Sequence, residues 1–381
     1  MPAGHGGRTG RLVAASRSDA IATGFPARLR AAFPASAGAA FRCTKKELSH
    51  MNFKRFLAVP AGAAALAVAQ GAWALDVPGP VVDPQWLNDN LDQVTVLQIA
   101  GSEKAFAMAP KYETVKGKKV VSVVSGHVPG ARFVDWGKVR VERMENGKKV
   151  GKLIPEKADF EAFVQALGVD QDDTVVIVPL GLSGSDYTKA TRLYWQMKYF
   201  GHDDMALLDG GLANWLAAGF DAETGQPEKV EAGDWVATDE RDEILATYAE
   251  VREAVDSNGK VQLLDARPPN QYLGVFSKSK TVPGHLPGAK NVPTDVLVRA
   301  DGAAANFLPE SSYRSIMDFK QIDAEGAAIA YCNSGNLASG LWFVASEIMG
   351  NEQAALYDGS MKEYGMYVDD GATSVNPAQL Y

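Results

Sequence analysis

The sequence predicts an α/β fold of two similar domains, each a parallel sheet flanked by helices. The first observation is a block, Gly126–Ala131 (GHVPGA), that returns as Gly284–Ala289 (GHLPGA). The second is that short apolar strands alternate with helical segments around both blocks, an order typical of parallel sheets. The third is an Asp-Gly turn after the last strand of each half, at Asp209 and Asp358. An internal duplication with matched spacing explains all three.

The predicted elements follow the same order in both halves. Strands are predicted from apolar runs and helices from longer periodic stretches. In the first half these are strands at 94–99, 174–178 and from 206, with a helix over 189–200. In the second half they are strands at 261–264, 328–331 and from 354, with a helix over 337–349. The polar segment 223–246 is predicted to be a linker, which leaves residues 75–222 for the first domain and 247–381 for the second.

The start of the chain has the pattern of a secretory signal peptide over residues 51–74. A basic pair precedes an Ala-rich apolar run, and Ala72-Trp73-Ala74 fits the rule for cleavage between small residues. We therefore expect a mature protein that begins at Leu75 and is periplasmic or secreted. Residues 1–50 are then either an extension upstream of the true start or a transit peptide, which would place the protein in an organelle matrix. Nothing after residue 75 predicts a membrane span.

Composition and charge describe a globular protein with an acidic body. Hydrophobic residues make up 46% of the chain and charged residues 22%. The net charge is −8, but the first 74 residues hold ten Lys or Arg and two acidic residues, so the remainder carries −16. Such a body argues against binding to nucleic acid or to an anionic membrane surface.

Cys332 is the one cysteine after the signal pattern, since the other, Cys43, precedes it. It follows a predicted strand, opens a turn, and stands before a predicted helix. A sulfur placed over loop amides and a helix N-terminus is favoured as a thiolate. The alternative is a buried core cysteine, the commonest fate of a lone Cys. No internal disulfide is possible in a mature chain with one Cys.

The histidines of the repeated block, His127 and His285, are interpreted as structural. Gly and Pro fix a turn, and a His side chain can hold it through a backbone hydrogen bond. Direct catalysis is the alternative role. No Cys/His cluster has metal-ligand spacing, so neither a metal nor another cofactor is expected.

These features together resemble the rhodanese family of sulfurtransferases in its tandem two-domain form. The motifs that carry the resemblance are Gly126–Ala131, Arg192–Trp195, Phe200–His202, Leu208–Leu212, Leu264–Arg267, Gln271–Gly274, Gly284–Ala289, Tyr331–Gly335 and Tyr357–Ser360. The resemblance implies that only the second domain is catalytic. The first-half loop 179–185 has no Cys and is expected to wall the site.

The resemblance also implies the activity. Cys332 would take a sulfane sulfur from thiosulfate, 3-mercaptopyruvate or a persulfide and pass it to a thiol or cyanide through a persulfide, with ping-pong kinetics. A thiol redox protein is another possible acceptor. The amides that follow Cys332 would hold the anionic sulfur. The candidate substrate-binding residues are Asn333, Ser334, Gly335, Asn336, Leu337, Asp265, Arg267, Gln271, Lys278 and Lys280.

Two of these candidates also have structural interpretations. Arg267 is expected to hold the domain together through a carboxylate or carbonyls, because a guanidinium fork suits that role, and anion binding is the alternative. Asp265 ends the first strand of its domain at the edge where open α/β sheets place their sites, but it could equally cap the loop.

The chain departs from the family pattern at the catalytic loop. Thiosulfate-using members usually have Arg or Lys just after the Cys, where this chain has Asn333 and Ser334. Gln271 stands where the family often has Arg, and Leu337 where it has Thr or Ser. Losing a charge-assisted contact costs about 1.5–3 kcal/mol, roughly ten- to a hundredfold in rate. We therefore predict weak thiosulfate:cyanide activity or a different donor.

Two other classes of protein share part of this pattern. A Cys-based phosphatase needs an Arg that closes the loop around phosphate, and Ala338 stands there, so this class is not expected. A non-catalytic or sulfur-carrier module of the periplasm would explain the neutral loop, although it gives no reason for Cys332.

Overall fold

The computed structural model describes Leu75 and the residues 77–238, 240–277 and 282–370. All of these belong to one compact unit, Gln70–Tyr381. The predicted extension and signal peptide, residues 1–74, lie outside the described residues. Within the described part of the chain, no helix is both long and apolar enough to cross a membrane.

The first domain is built on a five-stranded parallel sheet of order β1-β9-β8-β2-β5. Its central strands are continuous apolar runs, as in Val175–Val178 (VVIV), because both faces of the sheet are covered. Its elements are β1 (Val81–Val82), α1 (Pro84–Asp89), β2 (Thr95–Gln98), α2 (Glu103–Ala107), β3 (Lys111–Val115), β4 (Lys118–Val123), β5 (Arg132–Phe133), β6 (Val141–Glu145), β7 (Lys148–Leu153), α3 (Lys157–Ala166), β8 (Val175–Val178), α4 (Gly184–Tyr199), β9 (Met205–Leu208) and α5 (Gly211–Ala217).

The second domain repeats this sheet with the order β10-β16-β15-β11-β12, again all parallel. Its elements are a 3₁₀ turn (Asp242–Ile244), β10 (Leu245–Ala246), α6 (Tyr248–Asp256), β11 (Gln262–Asp265), α7 (Pro269–Tyr272), β12 (Lys290–Asn291), a 3₁₀ turn (Thr294–Val296), β13 (Val298–Asp301), β14 (Ala304–Phe307), α8 (Glu310–Phe319), β15 (Ala328–Tyr331), α9 (Asn336–Phe343), a π-helical turn (Val344–Ile348), β16 (Ala354–Tyr357), α10 (Ser360–Tyr364) and a 3₁₀ turn (Gly365–Asp370). The predicted duplication is confirmed strand by strand.

Antiparallel hairpins were not predicted from the sequence. β6 pairs with β7 in the first domain and β13 with β14 in the second. Each lies just before a Pro-Glu step that leads into a helix, at Pro155-Glu156 and Pro309-Glu310. This step is a further trace of the duplication. The predicted helix over 337–349 is also different, since its last third is a π-helical turn.

The segment predicted as a linker lies against the first domain. The Trp235 side chain is fully buried, and its amide donates to the Val169 oxygen. The Thr238 amide donates to the Phe200 oxygen at 2.9 Å. The last two residues of the segment, Leu245–Ala246, form β10 at the edge of the second sheet. The connection is therefore anchored at several buried positions, although most of its described residues are exposed.

Helices α4 and α9 pack against each other at the centre of the interface between the domains. The hydroxyls of Thr191 and Ser339 lie 2.9 Å apart, and Asn336 Nδ2 donates to Thr188 Oγ1 at 2.8 Å. Gly340 lets the helices approach, because a Cβ there would lie 3.1 Å from the Thr188 methyl group. One apolar core runs through both domains at this contact.

Candidate active site

Cys332 lies directly after β15, at the carboxyl edge of the second sheet. The strand before it (AIAY) is buried at every position, so the chain enters the site from the core. A short turn follows, and α9 begins at Asn336. Cys332 itself is only 1% exposed. The strand–loop–helix arrangement predicted for this cysteine is therefore observed.

The turn around Cys332 is held from below by α10. Ser360 Oγ accepts the amides of both Cys332 and Gly335, each at 3.0 Å, and donates to the Tyr357 oxygen at 2.8 Å. The amides of Met361 and Lys362 donate to the oxygens of Cys332 and Asn333 at 3.1 and 3.0 Å. Because one hydroxyl and two amides bind the turn, its backbone is fixed before any ligand arrives.

Gly335 is required by the geometry of this turn. Its φ of +71° is one that glycine adopts without steric cost. A Cβ at this position would lie 2.5 Å from Arg192 Nη1 and 2.5 Å from Asp358 Oδ1. The chain must therefore pass a buried ion pair at close range.

The expected ring of amides around the sulfur is smaller than predicted. The Gly335 amide is not directed at the sulfur, because it donates to Ser360 Oγ instead. The amides of Asn333 and Ser334 donate to no acceptor among the described residues. Asn333 Nδ2 donates to Gln271 Oε1 at 2.8 Å, so these two neutral side chains form one surface at the turn. Asn336 is directed to the interface between the domains.

Arg192 of the first domain reaches this turn, and Arg140 of the same domain acts on Cys332 electrostatically. Arg192 on α4 is fully buried, and its Nη1 lies 2.5 Å from Asp358 Oδ1. Asp358 Oδ2 also accepts the Ile154 amide at 2.7 Å. Burial, and then the neighbouring Arg192, lower the pKa of Arg140 to about 10, while Cys332 and Asp358 act in the opposite direction. The guanidinium of Arg140 is thus near enough to Cys332 for their charges to interact.

Both arginines keep unused donors. Arg140 Nε, Arg192 Nε and Arg192 Nη2 are buried and have no hydrogen-bond partner among the described residues. Buried polar groups are normally paired, so such a cluster next to a cysteine can receive an anion. The arrangement combines a fixed turn, a sulfur and a cationic wall.

Comparison with known proteins decides the family. Residues 83–218 and 247–366 each match the rhodanese-like domain. The chain belongs to the rhodanese family. It is a tandem-domain sulfurtransferase of the thiosulfate/3-mercaptopyruvate type, as its motifs predicted.

Three of the similar proteins illustrate the extent of the similarity. Thiosulfate sulfurtransferase of Cricetulus griseus is 33% identical over 241 residues, covering 62% of this chain and 77% of the relative. The sulfur carrier protein TtuD of Thermus thermophilus is 28% identical over 304 residues, covering 76% and 95%. The crystal structure of SseA from Escherichia coli, described as a 3-mercaptopyruvate sulfotransferase, superposes with a TM-score of 0.59 at 21% identity, covering 74% and 98%. The last likeness concerns the fold.

Asp265 and Arg267 pair with each other in this rhodanese. They are 0% and 1% exposed, and Arg267 Nη2 lies 2.6 Å from both Asp265 Oδ2 and the Gly284 oxygen. Arg267 Nε also donates to Asp265 Oδ1 at 2.9 Å. These contacts support a structural role for both residues, and substrate binding by them stays a prediction.

The remaining candidates divide into three groups. Lys278 and Lys280 lie outside the described residues. Leu337 is half-buried and packs on the core, so it offers the site an apolar side chain only. Ser334 and Asn333 remain at the partly exposed mouth of the turn.

The two histidines act as turn supports. His127 Nδ1 lies 3.0 Å from the Phe106 backbone oxygen, and the imidazole ring stacks on the Phe106 ring with 3.9 Å between their centroids. His285 does the same with Tyr272, at 2.8 and 3.8 Å. This agrees with their structural interpretation. The described residues contain no group of His, Cys, Asp and Glu that could hold a metal ion.

Sequence reasoning missed Arg140 and Ser360 and treated Arg192 only as a family motif. The sequence near Cys332 carries no trace of the side chains that the other domain supplies, because only folding brings these side chains to the cysteine. Ser360 left a weak signal, since it lies in the Tyr357–Ser360 motif.

Proposed function

We propose that this rhodanese transfers sulfane sulfur through a persulfide on Cys332 and that its donor is an anion held by Arg140. The supporting observation is that Arg140 and Arg192 keep unused, buried guanidinium donors. Arg192 contacts the Cys332 turn, and the charge of Arg140 interacts with Cys332. An anionic donor would satisfy them, whereas a neutral donor would leave them unpaired. Thiosulfate and 3-mercaptopyruvate both carry such an anionic group.

The chemistry balances with these groups alone. The Cys332 thiolate attacks the outer sulfur of the donor and forms an S–S bond. With thiosulfate the original S–S bond breaks and sulfite leaves with its electron pair; with 3-mercaptopyruvate the C–S bond breaks and the pyruvate enolate leaves and takes up a proton. A thiol or cyanide then attacks the outer sulfur and restores the thiolate. In this proposal the negative charge of the persulfide is received by the amides of Asn333 and Ser334, which donate to no acceptor among the described residues.

The neutral turn predicted weak use of thiosulfate, and the arginines supply from the first domain part of the charge that the turn lacks. We propose that the balance favours a carboxylate donor, whose planar anion suits a guanidinium fork. The steady-state ratio of kcat/KM for 3-mercaptopyruvate and thiosulfate measures this preference. A ratio below one contradicts it.

Mass spectrometry of the intact chain tests the persulfide. After incubation with each donor, the protein should gain the mass of one sulfur atom and lose it on addition of cyanide or a thiol. Cys332→Ser should gain nothing under the same conditions. If the wild-type chain never gains sulfur from either donor, the proposed activity is wrong.

Substitution of Arg140 tests the anion site. Arg140→Gln should lower kcat/KM for both donors by about ten- to a hundredfold, since one charge-assisted contact is removed. Arg140→Lys should retain part of the rate. Arg299→Gln is the matched control, because Arg299 is exposed on β13. Equal rates for Arg140→Gln and Arg299→Gln would exclude Arg140 from the donor site.

A sulfur carrier is the second candidate, and the similarity to TtuD over 76% of this chain favours it. A carrier would load one sulfur on Cys332 but would turn over slowly with small acceptors. A single-turnover burst without steady-state cyanide or thiol turnover would select it over the enzyme.

We also propose that the protein is exported, on the strength of the signal pattern in residues 51–74. N-terminal sequencing of the mature protein should give Leu75. A start before Met51 would contradict export and favour an organelle matrix.

A further inference from the structure

A cavity separate from the Cys332 turn lies between the two domains beside α10. Its volume is about 670 Å³. The first domain contributes residues of the β6–β7 region and the end of α4. The second contributes residues 245–249 and residues between Tyr357 and Tyr367. Neither Cys332 nor its turn lines this cavity. It is large enough for a small organic molecule.

Four tyrosines line the cavity: Tyr199, Tyr248, Tyr357 and Tyr367. The face of such a ring is electron-rich and attracts cations. Two of these rings already receive a cation from the chain. Lys148 Nζ lies 4.2 Å from the centroid of Tyr367, and Arg252 Cζ lies 6.0 Å from that of Tyr248. The Tyr367 and Tyr248 rings therefore already make cation–π contacts within the chain.

The walls also carry an excess of carboxylates, namely those of Glu145, Glu156, Glu240, Asp358 and Glu363. Arg143 is the basic residue of the lining, and it lies 3.4 Å from Glu145 and 2.9 Å from Glu156. Asp358 is paired with Arg192. Glu240 and Glu363 have no cationic partner among the described residues.

Among these carboxylates, Glu363 is buried and has no cationic partner within the described residues. It is 5% exposed, and burial is the main cause that raises its pKa to about 7. The neighbouring Tyr357 hydroxyl acts in the opposite direction through a hydrogen bond, while Glu145 and Asp358 act in the same direction as burial. A buried carboxyl without a counter-charge is unusual, and a cationic ligand would supply one.

We propose that this cavity binds a small organic cation of the alkylammonium class, with its charged nitrogen against Tyr248 and Glu363. The carboxylates disfavour an anion, so neither donor of the sulfur-transfer site would enter. A neutral apolar molecule would leave Glu363 without a counter-charge. The site is independent of the proposed sulfur transfer.

Calorimetric titration of the full chain with choline tests this. Choline should bind saturably, and its neutral isostere 3,3-dimethylbutan-1-ol should bind at least tenfold more weakly, because only the charge differs. Glu363→Gln should weaken choline binding about tenfold, whereas Glu352→Gln, at an exposed position outside the cavity, should not. Tyr248→Phe keeps the ring and should keep the binding, whereas Tyr248→Leu should lose it.

The Cys332→Ser variant separates the two proposals. It should bind choline like the wild type, even though it cannot transfer sulfur. Absence of saturable choline binding to the wild-type chain, or equal binding of the neutral isostere, overturns the proposal. So does choline binding that Glu363→Gln leaves unchanged, since the cation would then lie elsewhere.

Discussion

The two domains share one topology, yet only one has a sulfur at the decisive position. β8 and β15 are equivalent central strands; Pro179 follows the first and Cys332 follows the second. α4 of the first domain sends Arg192 to the turn of the second, whereas α9 (NLASGLWF) has no charged side chain to return. The comparison teaches that the first domain has no thiol at its strand end and contributes Arg192 to the site of the second.

The strand ends show how the same task is done with different chemistry. At the end of β2, Gln98 holds the first repeated turn, donating to the Gly126 oxygen at 2.8 Å and accepting the Val128 amide at 3.0 Å. At the end of β11, the ion pair of Asp265 and Arg267 holds the second turn through the Gly284 oxygen. The equivalent turns of the two domains are thus held by an uncharged amide in one and by an ion pair in the other.

The Asp-Gly turns differ in a similar way. Asp209 accepts the Phe307 amide of the second domain at 2.9 Å, and Asp358 accepts the Ile154 amide of the first at 2.7 Å. Each domain thus holds its neighbour by the same residue type. After these turns, however, Gly211 of the first domain is replaced by Ser360, and Asn214 by Glu363. At these positions the second domain has the groups that serve the Cys332 turn and the cavity beside α10.

The largest expected effect separates the two strand ends. Cys332→Ser should abolish persulfide formation, and adding Pro179→Cys to it should not restore the activity, because the first loop lacks the Ser360 hydroxyl and the neighbouring arginines. Intact-mass measurement after donor treatment checks both variants. A sulfur adduct on residue 179 that passes to cyanide would show that a thiol at any such strand end is enough.

The second prediction concerns Arg192, the cation of the first domain that pairs with Asp358 of the second. Arg192→Leu leaves Asp358 buried without its partner, so the free energy of unfolding should fall by about 3–5 kcal/mol. Persulfide formation should slow at least tenfold, since positive charge behind the turn is lost. Chemical denaturation and rapid-quench mass spectrometry measure the two effects.

Arg241→Gln is the control for Arg192→Leu, because its ion pair with Asp203 is partly exposed. It should cost about 1 kcal/mol or less and leave the rate unchanged. Equal destabilisation by both variants would mean that the buried ion pair of Arg192 contributes no more to stability than the partly exposed pair of Arg241.

The sequence allowed the duplication, the three central strands of each sheet and the place of Cys332 to be predicted, because these follow from local apolar runs and repeated turns. It could not place Arg140, which is distant in sequence from Cys332 and approaches it only across the domain interface. The ion pair of Arg267 shows the opposite case. Its residue type suits both an internal ion pair and anion binding, and only the buried position of Asp265 in the structure favours the first.

The third prediction concerns the exchange of Asn214 for Glu363. The raised pKa of Glu363, about 7, means that the folded state binds its proton more tightly than the unfolded state does. Its contribution to stability is therefore present below about pH 4 and lost as the pH rises through 7, by roughly 3 kcal/mol in total. Glu363→Gln should remove this decline.

Urea unfolding of Glu363→Gln and the wild type between pH 4 and 8 measures the difference. Glu352→Gln should follow the wild-type pH dependence, since that side chain is exposed. Parallel curves for the wild type and Glu363→Gln would mean that the Glu363 carboxyl is ionised normally.

The last and smallest effect tests the exchange of Gly211 for Ser360. Both residues have positive φ, +53° and +49°, which suits glycine and strains serine. The hydroxyl of Ser360 compensates for this strain by accepting the amides of Cys332 and Gly335. Ser360→Ala should therefore lower the free energy of unfolding by about 2 kcal/mol, since two buried donors lose their acceptor.

Ser360→Gly removes the same hydroxyl but relieves the backbone strain, so it should be about 1 kcal/mol more stable than Ser360→Ala. Both variants should form the persulfide more slowly than the wild type, because the turn is no longer fixed. Ser315→Ala is the control, as its hydroxyl donates to an oxygen of its own exposed helix. If the Ala and Gly variants were equally stable, the strain at residue 360 would be negligible, and the serine would owe its place to hydrogen bonding alone.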